Sequence, residues 1–343
     1  MAQHTISQLI STYALRYFRK INFIFSGRLN LEQSTYFTSS RGLLKSCSCH
    51  NINPISSRAK IDSNLLNKHE PGGSIYICSD AIENFSNNFL ETIKNPFILV
   101  TGDSDLAVDD AFISRPFVKK IINNPLLLKW FAQNATSKIS KIIPMPIGMD
   151  YHTMWEHPGI WGPERTAAVA QEQALINALR NSQGFNERSP HCYSNFHFQA
   201  SRGDREECLS RISKNICFFE DRPIARISTW QRQSNFKFVL SPEGKGMDCH
   251  RTWEAILLGC IPIVKRSQFT SIYEGLPVAI VEDWNMVNEK YISNFSESVS
   301  NRKFDFNLIF LNFWKAMLEG EEPKRIPLMN LCEFKKFICN ITS

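Results

Sequence analysis

The segment with the clearest chemical potential runs from Phe236 to Val264, where an apolar run, a glycine-containing loop, a helical pattern and a second apolar run follow one another. In an open α/β sheet, ligands bind beyond the carboxyl ends of the strands. Gly244 and Gly246 would let the backbone approach a ligand there, and the free N–H groups of the next helix would attract an anion. We expect Asp248 to cap that helix. The segment therefore predicts an anion-binding site.

Two charged residues of this helix lie three positions apart. Arg251 falls in the first turn, and Glu254 projects from the same helical face. A guanidinium can bind a diphosphate bidentately, and a carboxylate can accept hydrogen bonds from two ribose hydroxyls. The spacing is therefore typical of nucleotide binding, and it is equally typical of an Arg251–Glu254 ion pair within the helix.

A second group of polar residues follows the apolar run that ends at Thr101. Asp103 and Asp105 are the first candidates for a general base that removes a proton from a hydroxyl, with Asp150 and His152 in reserve. Acidic residues in a Gly-Asp-Ser-Asp sequence also serve as plain turn residues. In addition, an Asp-x-Asp triplet can hold a divalent ion against a diphosphate.

Three further groups carry weaker signals. Trp130 and Asn134 could bind a sugar by stacking and by amide hydrogen bonds, although core packing explains the tryptophan equally well. Cys249 and His250 could form a reactive pair, but no third group that would orient them is visible. The Cys-Ser-Cys-His sequence at 47–50 lacks a second ligand pair at zinc-site spacing, so we expect no metal site.

The elements that position these residues follow from an alternation of short apolar runs and helical patterns, which predicts α/β layers around parallel sheets. Strands are predicted at 74–78, 96–101, 141–147, 192–198, 216–219, 236–240, 261–264 and 278–281. A breaker-rich stretch at 157–163 marks the domain boundary, with Pro163 in the first turn of a helix over 164–179. A last helix is predicted at 306–318.

Composition and charge narrow the class of protein. The net charge is +6, without a basic stripe interleaved with aromatics, so we expect no nucleic-acid partner. No apolar run approaches the roughly 20 residues of a membrane span, and Met1–Arg19 lacks the pattern of a secretory signal. We therefore expect a cytoplasmic protein. An apolar stripe between Ile6 and Tyr17 could contact an anionic membrane surface, although core packing is favoured.

Residues 236–284 resemble the C-terminal half of exostosin-like glycosyltransferases. The resemblance rests on Ser241-Pro-Glu-Gly-x-Gly-x-Asp-x-His-Arg251, Trp253-Glu-Ala255, Gly259–Val264, and Gly275-Leu-Pro-Val278 with Asp283-Trp284. It implies the GT-B fold, in which two Rossmann-like domains face a central cleft. It also implies inverting, metal-independent transfer from a nucleotide-diphosphate sugar, for which a UDP-sugar is favoured, and no cofactor. The acceptor would be a glycan, a lipid-linked glycan or a protein. Because no membrane anchor or second catalytic module is evident, we expect a microbial or viral surface-glycan enzyme.

The resemblance also implies a division of the chain. We expect an extension of uncertain structure (1–70), an acceptor domain (71–156), a linker (157–163), a nucleotide-sugar-binding domain (164–300) and a C-terminal helical segment (301–343). The expected donor-site residues are Ser241, Glu243, Gly244, Gly246, His250, Arg251 and Glu254, with Arg251 at the diphosphate and Glu254 at the ribose. The acceptor-site residues are Trp130, Asn134 and His152, and the catalytic candidates are Asp103, Asp105 and Asp150.

Two alternatives stay open. The chain could be a non-catalytic module that binds a glycan or a nucleotide through a degenerate transferase fold. It could also be a metal-dependent transferase of the GT-A type, in which Asp103 and Asp105 would hold the ion.

Overall fold

The computed structural model describes residues 29–51 and 60–342. Its strands are β1 (Ser74–Cys78), β2 (Phe97–Gly102), β3 (Leu127–Ala132), β4 (Ile142–Pro144), β5 (Ser189–Ser194), β6 (Cys217–Phe219), β7 (Phe236–Leu240), β8 (Ile261–Lys265) and β9 (Ala279–Val281). Its helices are α1 (Ser40–Ser46), α2 (Ile82–Asn88), α3 (Asp110–Ile113), α4 (Pro116–Ile122), α5 (Thr153–Glu156), α6 (Ala168–Asn181), α7 (Arg205–Arg211), α8 (Arg226–Gln233), α9 (His250–Leu257), α10 (Glu289–Val299), α11 (Leu311–Leu318) and α12 (Leu331–Ile341).

The first sheet consists of four parallel strands in the order β1-β2-β3-β4. β2 is buried along its whole length, as expected for a parallel strand that is covered on both faces. On one face, Leu99 and Trp130 pack into a core that α2 and α4 complete. On the other face, Val100 and Phe131 pack against α1 and α11, so a helix from near the end of the described chain covers the first sheet.

The second sheet consists of five parallel strands in the order β6-β5-β7-β8-β9. The helices α6, α8, α10 and α12 contribute to its core, which is continuous with Met149 and Tyr151 at the junction between the two sheets. From β5 the chain runs to β6 at one edge of the sheet. It then crosses back to the other side of β5, where β7, β8 and β9 follow in order. This reversal is the topological switch point at which doubly wound sheets bind ligands.

The α/β prediction is confirmed, and the two parallel sheets are consistent with two Rossmann-like domains. The sheets lie on either side of the predicted linker at 157–163, although the domain limits themselves stay a prediction. Among the described residues, no helix is both long enough and apolar enough to cross a membrane. The apolar stripe between Ile6 and Tyr17 lies outside the described residues.

Four local predictions were wrong or incomplete. The strand predicted at 192–198 is β5 at Ser189–Ser194, and Phe196–Gln199 forms a 3₁₀ helix. β3 was not predicted as a strand, although it is one of the two inner strands of the first sheet. The helix expected from residue 164 begins at Ala168, whose N–H donates to Asn30 Oδ1 across the molecule, so Pro163 lies before the helix and not in its first turn. The predicted helix at 306–318 is a short 3₁₀ turn, Asn307–Ile309, followed by α11.

Candidate functional site

A cavity of about 500 Å³ lies between the carboxyl ends of the two sheets. Asp105, Ile147 and Asp150 line it from the first sheet. From the second sheet come Asn195 and Phe196, directly after β5, and residues 244–246 and 248–251, between β7 and the first turn of α9. The cavity therefore lies at the switch point between β5 and β7, where the strand order predicts a ligand site.

Five Arg and Lys residues line the second-sheet side of the cavity, and Arg226 among them is paired with carboxylates. The other four are Arg202, Arg205, Lys245 and Arg251. None of them belongs to any salt bridge within the described part of the chain. Burial, together with the nearby charge of Arg251, lowers the pKa of Arg205 to about 10. An anionic ligand would relieve this concentration of positive charge.

The protein backbone and one aromatic ring hold the two central arginines in place. Arg251 donates to Pro242 O (3.1 Å), and Arg205 donates to Glu243 O (3.3 Å) and Gln199 O (3.2 Å). The guanidinium carbons of Arg251 and Arg205 lie 5.2 Å and 6.0 Å, respectively, from the centre of the same Phe196 ring. Both cations are thus oriented without being neutralised.

The N-terminus of α9 points toward the same cavity. No side chain caps this helix, and the N–H groups of His250 and Arg251 have no hydrogen-bond partner among the described residues. Free N–H groups at a helix start favour an anion. The first turn of α9 thus adds two donors to the arginines.

The prediction that Asp248 caps α9 was wrong. Its carboxylate accepts hydrogen bonds from Ile147 N (2.7 Å), Trp253 Nε1 (2.8 Å) and Tyr273 OH (3.1 Å), and Ile147 belongs to the loop after β4. Burial raises the pKa of Asp248 to about 6, although these hydrogen bonds lower it. Asp248 therefore joins the two sides of the cleft.

The glycine loop is pressed against the opposite side of the cleft. A Cβ at Gly246 would lie 3.1 Å from Asn134 Nδ2 and 3.4 Å from Asp105 Cα. A Cβ at Gly203, whose φ is +55°, would lie 2.5 Å from Glu243 O. The close backbone approach therefore requires glycine at position 203, whereas Gly246 packs tightly against the Asn134 side chain.

Glu254 has partners that the sequence did not predict. Its carboxylate accepts hydrogen bonds from Arg226 Nη2 and from Trp230 Nε1 (2.9 Å), both on α8. No Arg251–Glu254 ion pair forms, so that alternative is wrong. Although Glu254 lines the cavity, its side chain is only 7% exposed and both oxygens are engaged, which argues against the expected ribose contact.

Arg226 also contacts the opposite side of the cleft. Its Nη1 lies 3.6 Å from Asp150 Oδ2, and Asp150 Oδ1 lies 3.2 Å from His152 Nδ1. Burial would raise the pKa of Asp150, but His152 and Arg226 lower it well below its usual range. Burial lowers the pKa of His152 to about 4. At neutral pH, Asp150 is therefore a carboxylate and His152 a neutral imidazole.

The structure separates the two acidic residues after β2. Asp103 is buried, has a φ of +58° and forms a salt bridge with Arg41 (3.3 Å), which also pairs with Glu156. Asp105 is exposed and lines the cavity. The described residues contain no group of three or more His, Cys, Asp or Glu side chains that could hold a metal ion.

The structure corrects the roles expected of Trp130 and Asn134. Trp130 is fully buried and donates from Nε1 to Thr101 Oγ1 (2.9 Å), so it cannot stack on a sugar. Asn134 adopts a left-handed backbone (φ +52°), its Oδ1 accepts from Asp248 N (2.9 Å), and its Nδ2 donates to Ser104 O (3.1 Å). Its amide therefore joins the two halves of the cleft and is not free for an acceptor.

Part of the predicted site assembles around the cavity. The predicted residues that line it are Asp105, Asp150, Gly244, Gly246, His250, Arg251 and Glu254. Those that lie away from its walls are Asp103, Trp130, Asn134, His152, Ser241 and Glu243. Ser241 is buried and shares a hydrogen bond with Thr252 Oγ1 (2.8 Å), directly beneath the arginines.

Sequence reasoning missed three arginines of the site: Arg202, Arg205 and Arg226. For the first two a signal was present, because Ser-Arg-Gly-Asp-Arg at 201–205 places two cations around a glycine shortly after a strand. Arg226 carries no such pattern, and its role depends on contacts with distant residues.

Comparison with protein-family models and with curated proteins finds no match to this chain.

Proposed function

We propose that the chain is a GT-B glycosyltransferase that binds a nucleotide-diphosphate sugar, with a UDP-sugar as the favoured donor, and transfers the sugar with inversion to a glycan, a lipid-linked glycan or a protein. The observation that carries this proposal is the unpaired cationic wall of Arg202, Arg205, Lys245 and Arg251 at the switch point of the second sheet. The resemblance of residues 236–284 to exostosin-like enzymes supports the same site.

The diphosphate would lie against Arg251, Arg205 and the free N–H groups at the start of α9. In a transfer reaction the bond from the sugar to the diphosphate breaks, and negative charge accumulates on the leaving oxygen. Oriented cations in a site that excludes water stabilise this charge in the transition state. Two arginines held in fixed orientations, together with the N-terminus of α9, are suited to stabilise the charge on the leaving oxygen.

The rest of the cavity offers suitable surfaces for the nucleoside and for the acceptor. Ile160, Trp161, Phe198 and Pro223 provide an apolar wall that a nucleobase could contact. Asp105 and Ile147 lie on the opposite side, where an acceptor would approach the donor. The two-sided cleft therefore supports transfer between two bound substrates.

The remaining alternatives make different predictions. A binding module would bind the nucleotide without releasing it from a sugar donor. A GT-A transferase would need Asp103 for a metal, and the ion pair with Arg41 argues against that use. We further propose a cytoplasmic location with contact to a membrane surface where the acceptor is lipid-linked.

The first test is a thermal-shift panel of UDP, GDP, CDP, ADP and dTDP on the wild type and on Arg251→Ala, with and without a chelator. A ligand that binds only the native state raises the melting temperature. We expect UDP to stabilise the wild type, independently of chelator. We expect Arg251→Ala to weaken its affinity by about tenfold or more, because hydrogen bonds to charged groups contribute about 1.5–3 kcal/mol.

The matched control is Arg266→Ala, because Arg266 is exposed and pairs with Glu282 outside the cavity. It should bind UDP as the wild type does. The proposal fails if none of the five nucleotides stabilises the protein, or if Arg251→Ala binds UDP with unchanged affinity. A shift that requires a divalent metal would favour the GT-A alternative.

A further inference from the structure

We propose that His250 is the general base that removes the proton from the acceptor hydroxyl, an inference that rests on the proposed function. His250 is the first residue of α9, is half-buried and lines the cavity. It lies next to Arg251 in sequence and contacts the loop after β4 across the cleft. It therefore stands where a donor held by the second sheet would meet an acceptor on the side of the first.

The hydrogen bond of His250 fixes its tautomer. Nδ1 lies 2.8 Å from Gly148 O, and a carbonyl oxygen can only accept a hydrogen bond. Nδ1 therefore carries the proton, and in the neutral imidazole the lone pair resides on Nε2. Nε2 makes no hydrogen bond within the described residues, so it is available to a substrate hydroxyl.

The carbonyl that orients His250 is held rigidly. Gly148 has a φ of +67°, and a Cβ at this position would lie only 2.1 Å from Thr38 O. The N–H of the next residue, Met149, donates to the same Thr38 oxygen (2.8 Å). A base must be positioned within hydrogen-bond reach of the proton it abstracts, and this packing keeps the imidazole in one orientation.

The carboxylates near the cleft are less suited to this role. The salt bridge with Arg41 engages Asp103 away from the cavity, and the low pKa of Asp150, which His152 and Arg226 cause, makes it a weak proton acceptor. Asp105 lines the cavity, but its carboxylate accepts no orienting hydrogen bond from the part of the chain that the structure describes. Among these groups, only His250 combines an accessible lone pair with an orienting partner.

The reaction balances with His250 in this role. The acceptor oxygen forms a bond to the anomeric carbon as its proton passes to Nε2, and the bond from that carbon to the diphosphate breaks with its electron pair on the leaving oxygen. Successive residues of an α-helix project about 100° apart, so the side chains of His250 and Arg251 leave α9 in different directions. The proposed base therefore does not occupy the position proposed for the diphosphate.

Two buried carboxylates interact electrostatically with His250. They are Asp150 on the first-sheet side and Asp248 beside α9, and His250 lowers the pKa of each. The ring of His152, which is neutral at pH 7, lies 5.9 Å from the His250 ring, measured between centroids. The proton transfer would therefore take place close to two carboxylates and to the neighbouring cation Arg251.

The test compares His250→Gln with His191→Gln, because His191 is exposed and does not line the cavity. We measure UDP affinity by calorimetry and the release of UDP from UDP-glucose, UDP-galactose and UDP-N-acetylglucosamine with water as acceptor, as a function of pH. His250→Gln should bind UDP within twofold of the wild type and release it about 10²–10⁴-fold more slowly, because general-base catalysis contributes that much.

The pH profile separates a base from a structural residue. Because a general base acts only in its unprotonated form, the wild type and His191→Gln should lose activity at acid pH, and His250→Gln should lack this acid limb. Unchanged turnover in His250→Gln would overturn the inference, as would a loss of UDP affinity like that of Arg251→Ala, which would make His250 a phosphate ligand. If the wild type neither binds UDP nor releases it from these donors, the proposed UDP-sugar transferase fails, and the inference falls with it.

Discussion

At the scale of single residues, Arg226 connects the two sides of the cleft. Its guanidinium contacts Glu254 on the second-sheet side and Asp150 on the first-sheet side, while Trp161 and Trp230 lie within about 5.5 Å of it. A buried cation with two carboxylate partners is costly to leave unpaired. The stability of this region therefore depends on all three charged residues.

Replacing Glu254 by Ala separates a structural role from ribose binding. The change leaves Arg226 without its closest partner and Trp230 Nε1 without an acceptor, and the loss of one member of a buried pair costs about 3–5 kcal/mol. We expect chemical denaturation to show this loss in the free energy of unfolding. Glu282→Ala, in the exposed pair with Arg266, should cost about 0–1 kcal/mol. If Glu254→Ala has normal stability but binds UDP poorly, Glu254 would contact the ribose as the sequence predicted.

The site residues that could be predicted from the sequence are those that lie close together in one continuous segment of the chain. Gly244, Gly246, His250 and Arg251 lie within one strand–loop–helix unit, and local spacing is sufficient to place them together. Arg41 with Asp103 could not be predicted in this way, because the pair depends on the packing of α1 against the first sheet. The role of Trp130 was misjudged because an aromatic residue of a buried strand and one at a sugar site look alike in sequence.

At the scale of elements, the loop from β4 to α5 orients His250. Gly148 is the residue at which this loop passes closest to Thr38, just before α1.

The strand predictions succeeded where an apolar run is bounded by turn residues, as in β1 and β7. They failed for β3, where Lys129 interrupts an otherwise apolar run at 126–132, although the strand pairs with both β2 and β4.

Gly148→Ala tests the close approach in this loop, and Gly72→Ala is its matched control. Both glycines have positive φ (+67° and +78°), which costs an L-residue about 1–2 kcal/mol. Only at Gly148 would the new Cβ also collide with backbone, and such crowding adds about 1–3 kcal/mol. Urea unfolding should therefore show a clearly larger loss for Gly148→Ala. Equal losses in the two variants would mean that the loop moves away from Thr38 easily.

At the scale of the whole molecule, the chain crosses between the two sheets more than once. After β9 and α10 it returns to the first sheet as α11, where Trp314 packs edge-on against Phe131, and it then packs α12 against α6. This arrangement supplements the direct contacts across the cleft, such as Asn134 with Asp248. The two halves are therefore joined at several separate places.

Trp314→Ala tests the contribution of α11 to the first sheet. Trp314 is buried, and truncation of a buried aromatic residue costs about 3–5 kcal/mol. We expect a large fall in the free energy of unfolding measured by denaturant titration. Leu328→Ala, at a side chain that is 55% exposed, should change it by less than about 0.5 kcal/mol. A Trp314→Ala variant as stable as Leu328→Ala would mean that α11 is dispensable for the first sheet.

Glu172 makes the stability of the molecule depend on pH. Its carboxylate on α6 accepts hydrogen bonds from Tyr36 N and Phe37 N, and burial raises its pKa from the ordinary value of 4.5 to about 7. Between these two pH values the native state binds more protons than the unfolded chain does. The contribution of this group to the free energy of unfolding therefore falls as pH rises from 4.5 to about 7.

Glu172→Gln should remove this pH dependence. A glutamine cannot ionise, so the difference in unfolding free energy between variant and wild type should shift in favour of the variant as pH rises across the same window. Other groups act in both variants alike, including His152, whose lowered pKa gives the opposite slope. Guanidinium titrations at several pH values measure the difference. Parallel pH curves for the two proteins would contradict the assignment.

The position of α11 also constrains the order in which the molecule can form during synthesis on the ribosome. The strands of the first sheet emerge early, but one of their faces is completed by Leu311, Trp314 and Leu318. Until that stretch has left the exit tunnel, Val100 and Phe131 lack part of their cover. One apolar face of the nascent first sheet therefore stays incompletely covered while the entire second sheet is translated. During this interval a chaperone that binds apolar surfaces would bind the chain.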